Sequence, residues 1–371
     1  MVGDQGLILR SIDAGLTWAT VSSGITEDLN DLLFFDDNTG LIVGDNGTII
    51  RSIDAGLSWA SVASGITEKL SSVSSADGSS NGIIGGDGQT ILRSTDQGLS
   101  WIVVQSGFIG EFDGAHMANS SSGMVCGQNS IFQPLTGRTL DAGTSWTFSA
   151  FYLNGNEGEM NDIHTFDGNV AVGVSDLFDA TGAISRTTNG GTDWVTTPLA
   201  EGLDGVTFAT VAAGFVVGGS GTILKSIDGG LTWSEQVSGT TENLREVFLL
   251  DPLQGYAVGD NGVIVKTTTG GVVTSVEPIT HLVPEELRLY QNYPNPFNPT
   301  TLIEFSLPTS GRVTIELYDV LGKKIRKIVD SDYGRGTHAV NFRGEGLPSG
   351  TYFYKLEAGG LVRVKAMLLL R

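Results

Sequence analysis

The chain has 371 residues, 40% of them hydrophobic and 17% charged, which is enough for two or three domains with cores of their own. No apolar run approaches the roughly 18 residues that cross a bilayer as a helix, and one cysteine, Cys126, excludes an internal disulfide framework and a Cys-based zinc site. Residues 1–277 hold 32 Asp/Glu against 9 Lys/Arg, whereas residues 278–371 hold 9 against 12, so the larger part repels phosphate backbones and nucleic-acid binding is disfavoured.

Met1 to Gly6 (Met-Val-Gly-Asp-Gln-Gly) matches Ile42 to Gly47 and so reads as the middle of a repeat. No basic start, apolar stretch and small-residue cleavage site precede it, so the expectation is an N-terminally incomplete chain whose first unit lacks a strand.

An eight-residue box follows, Ser/Thr-x-Asp/Asn-x-Gly-x-polar-Trp. It recurs with Asp13 and Trp18, Asp54 and Trp59, Asp96 and Trp101, Asp141 and Trp146, Asn189 and Trp194, and Asp228 and Trp233, and every tryptophan of the chain closes one copy. A worn seventh copy spans Thr267 to Thr274. The carboxylate of such a box can accept turn N–H groups, the glycine supplies φ > 0, and the indole buries apolar area beside the next strand. These duties are structural, and no catalytic role is assigned to the box acids.

Between boxes each unit parses as four short strands, for example Leu29 to Phe35, Leu41 to Gly44, Thr48 to Ser52 and Ser58 to Val62. Asp45-Asn46-Gly47 and Asp260-Asn261-Gly262 are hairpin signals, with an altered form at Ser220-Gly221. The third strand is apolar on successive residues (Ile49, Ile50; Ile91, Leu92), which suits a sheet covered on both faces. The boxes recur every 39–48 residues, and four-stranded units at that period predict an all-β chain with a seven-bladed β-propeller over residues 1–276, its first blade incomplete.

The box residues resemble the Asp-box (BNR) repeat of sialidases and related propellers. The longer unit from Gly40 to Trp59 resembles the photosystem II stability and assembly factor type. That resemblance implies a protein-binding scaffold, although a photosynthetic role does not travel with the repeat.

Wide box spacings locate inserted loops at Gln128 to Gly137, Phe151 to Glu159 and Val174 to Gly182, carrying Phe132, Phe151, Tyr152 and Phe178. They are either candidate binding surface or loops covering their own apolar residues. His116 and His164 fall at one repeat position in consecutive units; with Asp113 or Asp162 they could hold a metal, but no spacing fixes a third ligand, and no metal or cofactor is expected. Seven of the nine propeller cations precede the boxes, one per unit: Arg10, Arg51, Arg93, Arg138, Arg186, Lys225 and Lys266. They either form salt bridges to a neighbouring blade, to acids such as Glu27, Glu68, Glu111 or Glu242, or form a basic ring that captures a carboxylate-bearing partner.

Pro278 and Pro284 mark a linker at 277–286, and residues 287–371 read as short alternating strands of a small Ig-like β-sandwich. The opening Tyr293, Pro294, Asn295, Pro296, Phe297, together with Tyr318 to Gly322, Leu347 to Tyr352 and the terminal Lys365 to Leu370, resembles the C-terminal sorting domain of the type IX (Por) secretion system. The resemblance implies the secretion machinery as a partner and a secreted or outer-membrane surface-attached product. A sialidase would need an arginine cluster and a Tyr/Glu pair, yet only Tyr152 and Tyr256 lie in the propeller region. The expectation is therefore a non-enzymatic propeller that binds a protein or glycan, the alternative being a surface polysaccharide-active glycoside hydrolase with paired carboxylates.

Overall fold

The hairpin signals form the turns expected of them. Asn46 (φ 55°) and Gly47 (φ 68°) are both left-handed, and Thr48 N donates to Asp45 O at 3.1 Å, the type I′ geometry whose twist matches its flanking strands. The computed structural model describes residues 1–371 apart from 77, 106, 108–109, 154–156, 178–180, 272, 279–286, 293, 334–335 and 371, with the backbone alone at 105, 273–278, 304, 306, 336–337 and 339.

Among the described residues the repeats give antiparallel sheets whose strands follow chain order. Sheet 1 has three strands (Val2–Gly3, Leu7–Arg10, Ala19–Ser22). Sheets 2 to 7 have four each and begin at Leu29–Phe34, Leu70–Ser75, Gly110–Met117, Gly158–Thr165, Leu203–Phe208 and Leu244–Leu249. From sheet 2 to sheet 7 each first strand packs on the next, the stacking of a β-propeller about its axis.

Apolar cores lie between sheets. Phe35, Leu41, Val43 and Ile49 of sheet 2 meet Leu70, Val73, Ile84 and Leu92 of sheet 3, while Ile83 and Ile91 turn the other way to meet Phe112, Val125 and Leu135 of sheet 4. This division explains the successive apolar residues of the third strand, since alternate side chains serve opposite seams.

The C-terminal sandwich pairs a three-stranded sheet (Arg288–Leu289, Thr300–Leu307, Gly336–Arg343) with a four-stranded one ordered Lys324–Tyr333, Gly311–Tyr318, Gly350–Ala358, Leu361–Leu369. Its core holds Phe297, Ile303, Phe305, Ile315, Leu317, Tyr354, Leu356 and Leu369. Lys324–Tyr333 is missing from the sequence reading because it is an edge strand with Val329 as its one buried residue, so charges hide its alternation.

Contacts divide the chain into two compact units: Met1, Leu7–Ser22 and Thr280–Arg371 in one, Val2–Gly6 and Ser23–Ile279 in the other. The hairpin Leu7–Ser22 is thus grouped with the sandwich residues. Of the linker expected at 277–286, Glu277 and Pro278 end the strand Val273–Pro278, and 279–286 lie outside the described residues.

The box indoles are half-buried. Trp101 Nε1 donates to Gly98 O at 3.2 Å, and its ring covers Gly82, where a Cβ would sit 3.2 Å from the indole. Trp101→Ala is therefore expected to cost about 2–3 kcal/mol, less than the roughly 3–5 of a fully buried ring. Thermal melts compare the variant with wild type, and an unchanged melting temperature contradicts the anchoring role.

Candidate functional site

In the third box Ser94 Oγ donates to Asp96 Oδ1 (2.7 Å) and accepts from Gly98 N (3.0 Å), while Asp96 accepts from the amide and hydroxyl of Ser100 (3.0 and 2.6 Å). Asp13, Asp54, Asp141 and Asp228 repeat this pattern. Where the fifth box carries Asn189, its amide donates instead to Asp193 Oδ2 at 2.9 Å, a compensating exchange. Burial opposes ionisation of Asp96, but hydrogen bonds from Ser100 and Ser94 outweigh it and lower its pKa; at Asp228 those from Thr232 come first and bring it to about 2. These carboxylates are engaged by the hydroxyls and amides of their own turns.

Four of the basic residues before the boxes meet backbone rather than the expected acids. Arg51 Nε donates to Gln97 O (2.9 Å), Arg93 Nε to Ala142 O (2.5 Å), Arg186 Nε to Gly229 O (2.9 Å) and Lys225 Nζ to Gly270 O. Each acceptor is the fourth residue of the next box. That residue is left-handed (Gln97 φ 55°, Ala142 φ 58°), which turns its carbonyl out of the box. Arg138 lies over Gly190 and donates to Asn169 Oδ1 at 2.6 Å, and Lys266 Nζ stands 5.4 Å from the Tyr256 ring centre. The salt bridges to Glu27, Glu68, Glu111 and Glu242 are thus corrected for Arg51, Arg93, Arg186 and Lys225: a cationic N–H beside an outward carbonyl has its acceptor in the backbone. Arg93→Gln is expected to cost about 1–2 kcal/mol, with little change between 0.05 and 0.5 M salt; strong salt sensitivity of that loss in melts would restore the ion-pair view.

Nearer the axis, acids at the first-strand bulge join successive sheets. Asp31 Oδ2 accepts from Val73 N (2.7 Å) and Ser72 Oγ (3.1 Å), and Asp162 Oδ2 accepts from Val206 N (2.8 Å). Burial pushes their pKa values up, to about 6 and about 7 respectively. His116 and His164 lie against each other, tilted by 36° with ring centres 3.9 Å apart, and His116 Nδ1 accepts from Thr165 N at 3.3 Å. Burial holds His116 at about 4 and His164 well below its ordinary value, so both rings are neutral packing groups. Among the described residues no cluster of three or more His, Cys, Asp or Glu is arranged to hold a metal ion.

One corner departs from this regularity. The second strands of sheets 4 and 5, Gly123–Asn129 and Ala171–Leu177, have seven residues where those of sheets 2, 3, 6 and 7 have five. The tip after Gln128 and Asn129 exposes Ile131 (60%) and Phe132 (52%), with Tyr152 (55%) also open to solvent. Phe151 instead stacks on Trp194, ring centres 5.2 Å apart, and Phe178 lies outside the described residues. Beneath the tip Glu111 faces Gln128 across one sheet, and Glu159 faces Asp176 across the next. Gln128 Nε2 donates to Glu111 Oε1 and, at 3.1 Å, to Glu159 Oε2. Asp113, the bulge residue after Phe112, is raised to about 8 by burial and then by the charges of Glu159 and Glu111. The sequence reading flagged the insertions but missed this cluster, whose signal is that Gln128, Glu159 and Asp176 lie within or at the ends of the inserted segments, with Glu111 supplied from the neighbouring strand.

Family models match both parts. Residues 9–111 and 195–268 match the photosynthesis system II assembly factor YCF48 model, and residues 291–369 match the secretion system C-terminal sorting domain. The chain is an Asp-box propeller resembling the assembly-factor type, followed by a type IX sorting domain. Among solved structures, YCF48 from Cyanidioschyzon merolae is 14% identical over 75% of this chain and 92% of its own, with a TM-score of 0.53. The WD40 repeats of RRP9 are 9% identical over 82% and 91%, with a TM-score of 0.56. YCF48 bound to D1 peptide is 19% identical over 66% and 94%, with a TM-score of 0.38. No curated protein matches. At these identities the solved structures speak for the propeller fold alone.

In the sorting domain Phe297 fills the core, and its N–H and carbonyl pair with Leu368 O and Leu370 N at 2.9 and 3.0 Å. Asn295 Oδ1 accepts from Leu368 N at 2.8 Å, while Pro294 and Pro296 are exposed and Tyr293 lies outside the described residues. The motif thus clamps the last strand. A sorting domain of this class supports a secreted or cell-surface protein.

Proposed function

We propose that this protein is an exported, non-enzymatic propeller that binds a protein partner at the extended corner of sheets 4 and 5, its sandwich serving the type IX machinery. The observation that carries this reading is the lengthened hairpin of sheet 4, whose tip exposes Ile131 and Phe132, beside Tyr152 exposed on the connection to sheet 5. Repeat arrays place their binding loops in such insertions, and aromatic anchors dominate protein interfaces. Further support comes from the box acids and the histidine pair, which are taken up by turns and packing.

The test places a photo-crosslinking amino acid at Phe132 or, as control, at Asp37 in the secreting cell. A discrete adduct at 132 alone, lost with Tyr152→Ser, is the expected result. Equal labelling at both positions would sink the reading, as would release of reducing sugar from a surface-glycan panel that Glu159→Gln abolishes.

A further inference from the structure

Asp113 Oδ2, Gln128 Oε1 and Asp176 Oδ1 are buried and accept no hydrogen bond. Gln128 is only 8% exposed, and its amide head lies between Glu111 and Glu159, so an orphaned oxygen sits inside the acidic cluster. Buried acceptors without donors are costly, and like charges facing each other across a sheet add to that cost.

The protein answers the same problem elsewhere. At the seam of sheets 6 and 7, Arg245 bridges Asp204 (Nη1 to Oδ1, 2.8 Å) and Asp260 (Nε to Oδ1 and Nη2 to Oδ2, both 2.9 Å). By repeat position, Asp204 and Asp260 correspond to Asp113 and Asp176 at the seam of sheets 4 and 5. Arg245 corresponds to Asn161, whose Nδ2 turns away to Leu203 O at 2.7 Å. The corner therefore repeats the two acids of a guanidinium site, adds Glu111 and Glu159, and lacks the guanidinium.

We propose that the cluster of Glu111, Asp113, Gln128, Glu159 and Asp176 takes up an arginine or lysine side chain of the partner polypeptide. This inference rests on the binding reading above and names the chemistry it selects. A guanidinium brings five N–H donors in a planar fork that suits paired carboxylates, and the rim aromatics Phe132 and Tyr152 offer faces on which a cation can rest. A metal ion is the weaker occupant, since among the described residues the acids are not arranged as ligands.

The test is calorimetric titration of the whole chain with a tetra-arginine peptide, with spermidine, and with calcium chloride at 0.15 M salt. The peptide is expected to bind at least ten-fold more tightly than either small cation. Asp113→Asn/Glu159→Gln should weaken it at least ten-fold while melting no lower than wild type, and the exposed pair Asp37→Asn/Glu235→Gln should change it less than two-fold. Asn161→Arg, which supplies the missing group in cis, should raise the melting temperature and block the peptide. Equal losses in the two double variants, no peptide binding, or spermidine or calcium binding as tightly as the peptide would each overturn the proposal. A crosslink at Phe132 that survives Asp113→Asn/Glu159→Gln would do so too while leaving the protein-binding reading intact.

Discussion

The repeat region is expected to be most stable near pH 4 and to lose at least about 15 °C in melting temperature by pH 8. Asp31, Asp162 and Asp113 are raised to about 6, 7 and 8 by burial, and Glu246 is raised by burial and by the charges of Asp162 and Asp31. In the unfolded chain all four titrate near pH 4, so above that pH the folded protein holds the protons and stability falls as pH rises through the folded values. Each tenfold difference in proton affinity is worth about 1.4 kcal/mol, and a kilocalorie moves the midpoint of a domain this size by roughly 2–4 °C. The box acids act on the other side: Asp228 is lowered to about 2, and Asp13, Asp54, Asp96 and Asp141 are lowered too, so their contribution is lost as pH drops from 4 towards 2. Calorimetric melts from pH 3 to 9 measure both limbs. A steady rise from pH 4 to 7 would contradict the assignment, and Asp162→Asn should flatten the alkaline limb alone.

Gly86→Ala should destabilise by about 3 kcal/mol or more, because a Cβ there would stand 2.2 Å from Lys69 O, a backbone atom that cannot swing aside. The cause is the first-strand bulge, which drives a carbonyl against the end of the second strand; Gly44, Gly127, Gly218 and Gly259 meet the same contact at 1.9–2.2 Å. Gly311→Ala, with nothing within 4 Å of the added carbon, is the neutral control. Denaturant unfolding of both variants decides, and equal stability of Gly86→Ala and wild type would remove the bulge from the account.

The fold was legible wherever one short segment decides its own conformation. Asn46-Gly47 sets its turn, Asp96 bonds within four residues, and the paired apolar residues Ile49 and Ile50 report a sheet with two covered faces. What escaped depends on geometry between sheets. The Leu29-Asn30-Asp31-Leu32 and Met160-Asn161-Asp162-Ile163 stretches look like surface strands with polar alternation, yet Asp31 and Asp162 reach the next sheet's backbone. The basic residues stood out by their regular placement, but only the structure shows a carbonyl, and not a carboxylate, opposite Arg51 or Arg93. The acidic corner was half visible: the insertions were plain, while Gln128 meeting Glu159 depends on adjacency of two sheets 31 residues apart in sequence.

The bond from a basic side chain to the fourth residue of the following box gives this repeat an unusual grammar. In the units of Arg51, Arg93, Arg186 and Lys225 the donor meets an acceptor at the same place in the following unit, so those copies are interchangeable at this latch. A gene segment duplicated or deleted in whole units would leave no orphaned latch at the new junction, only a repeated one. Drift in the exposed positions of one unit can then proceed without renegotiating its neighbours.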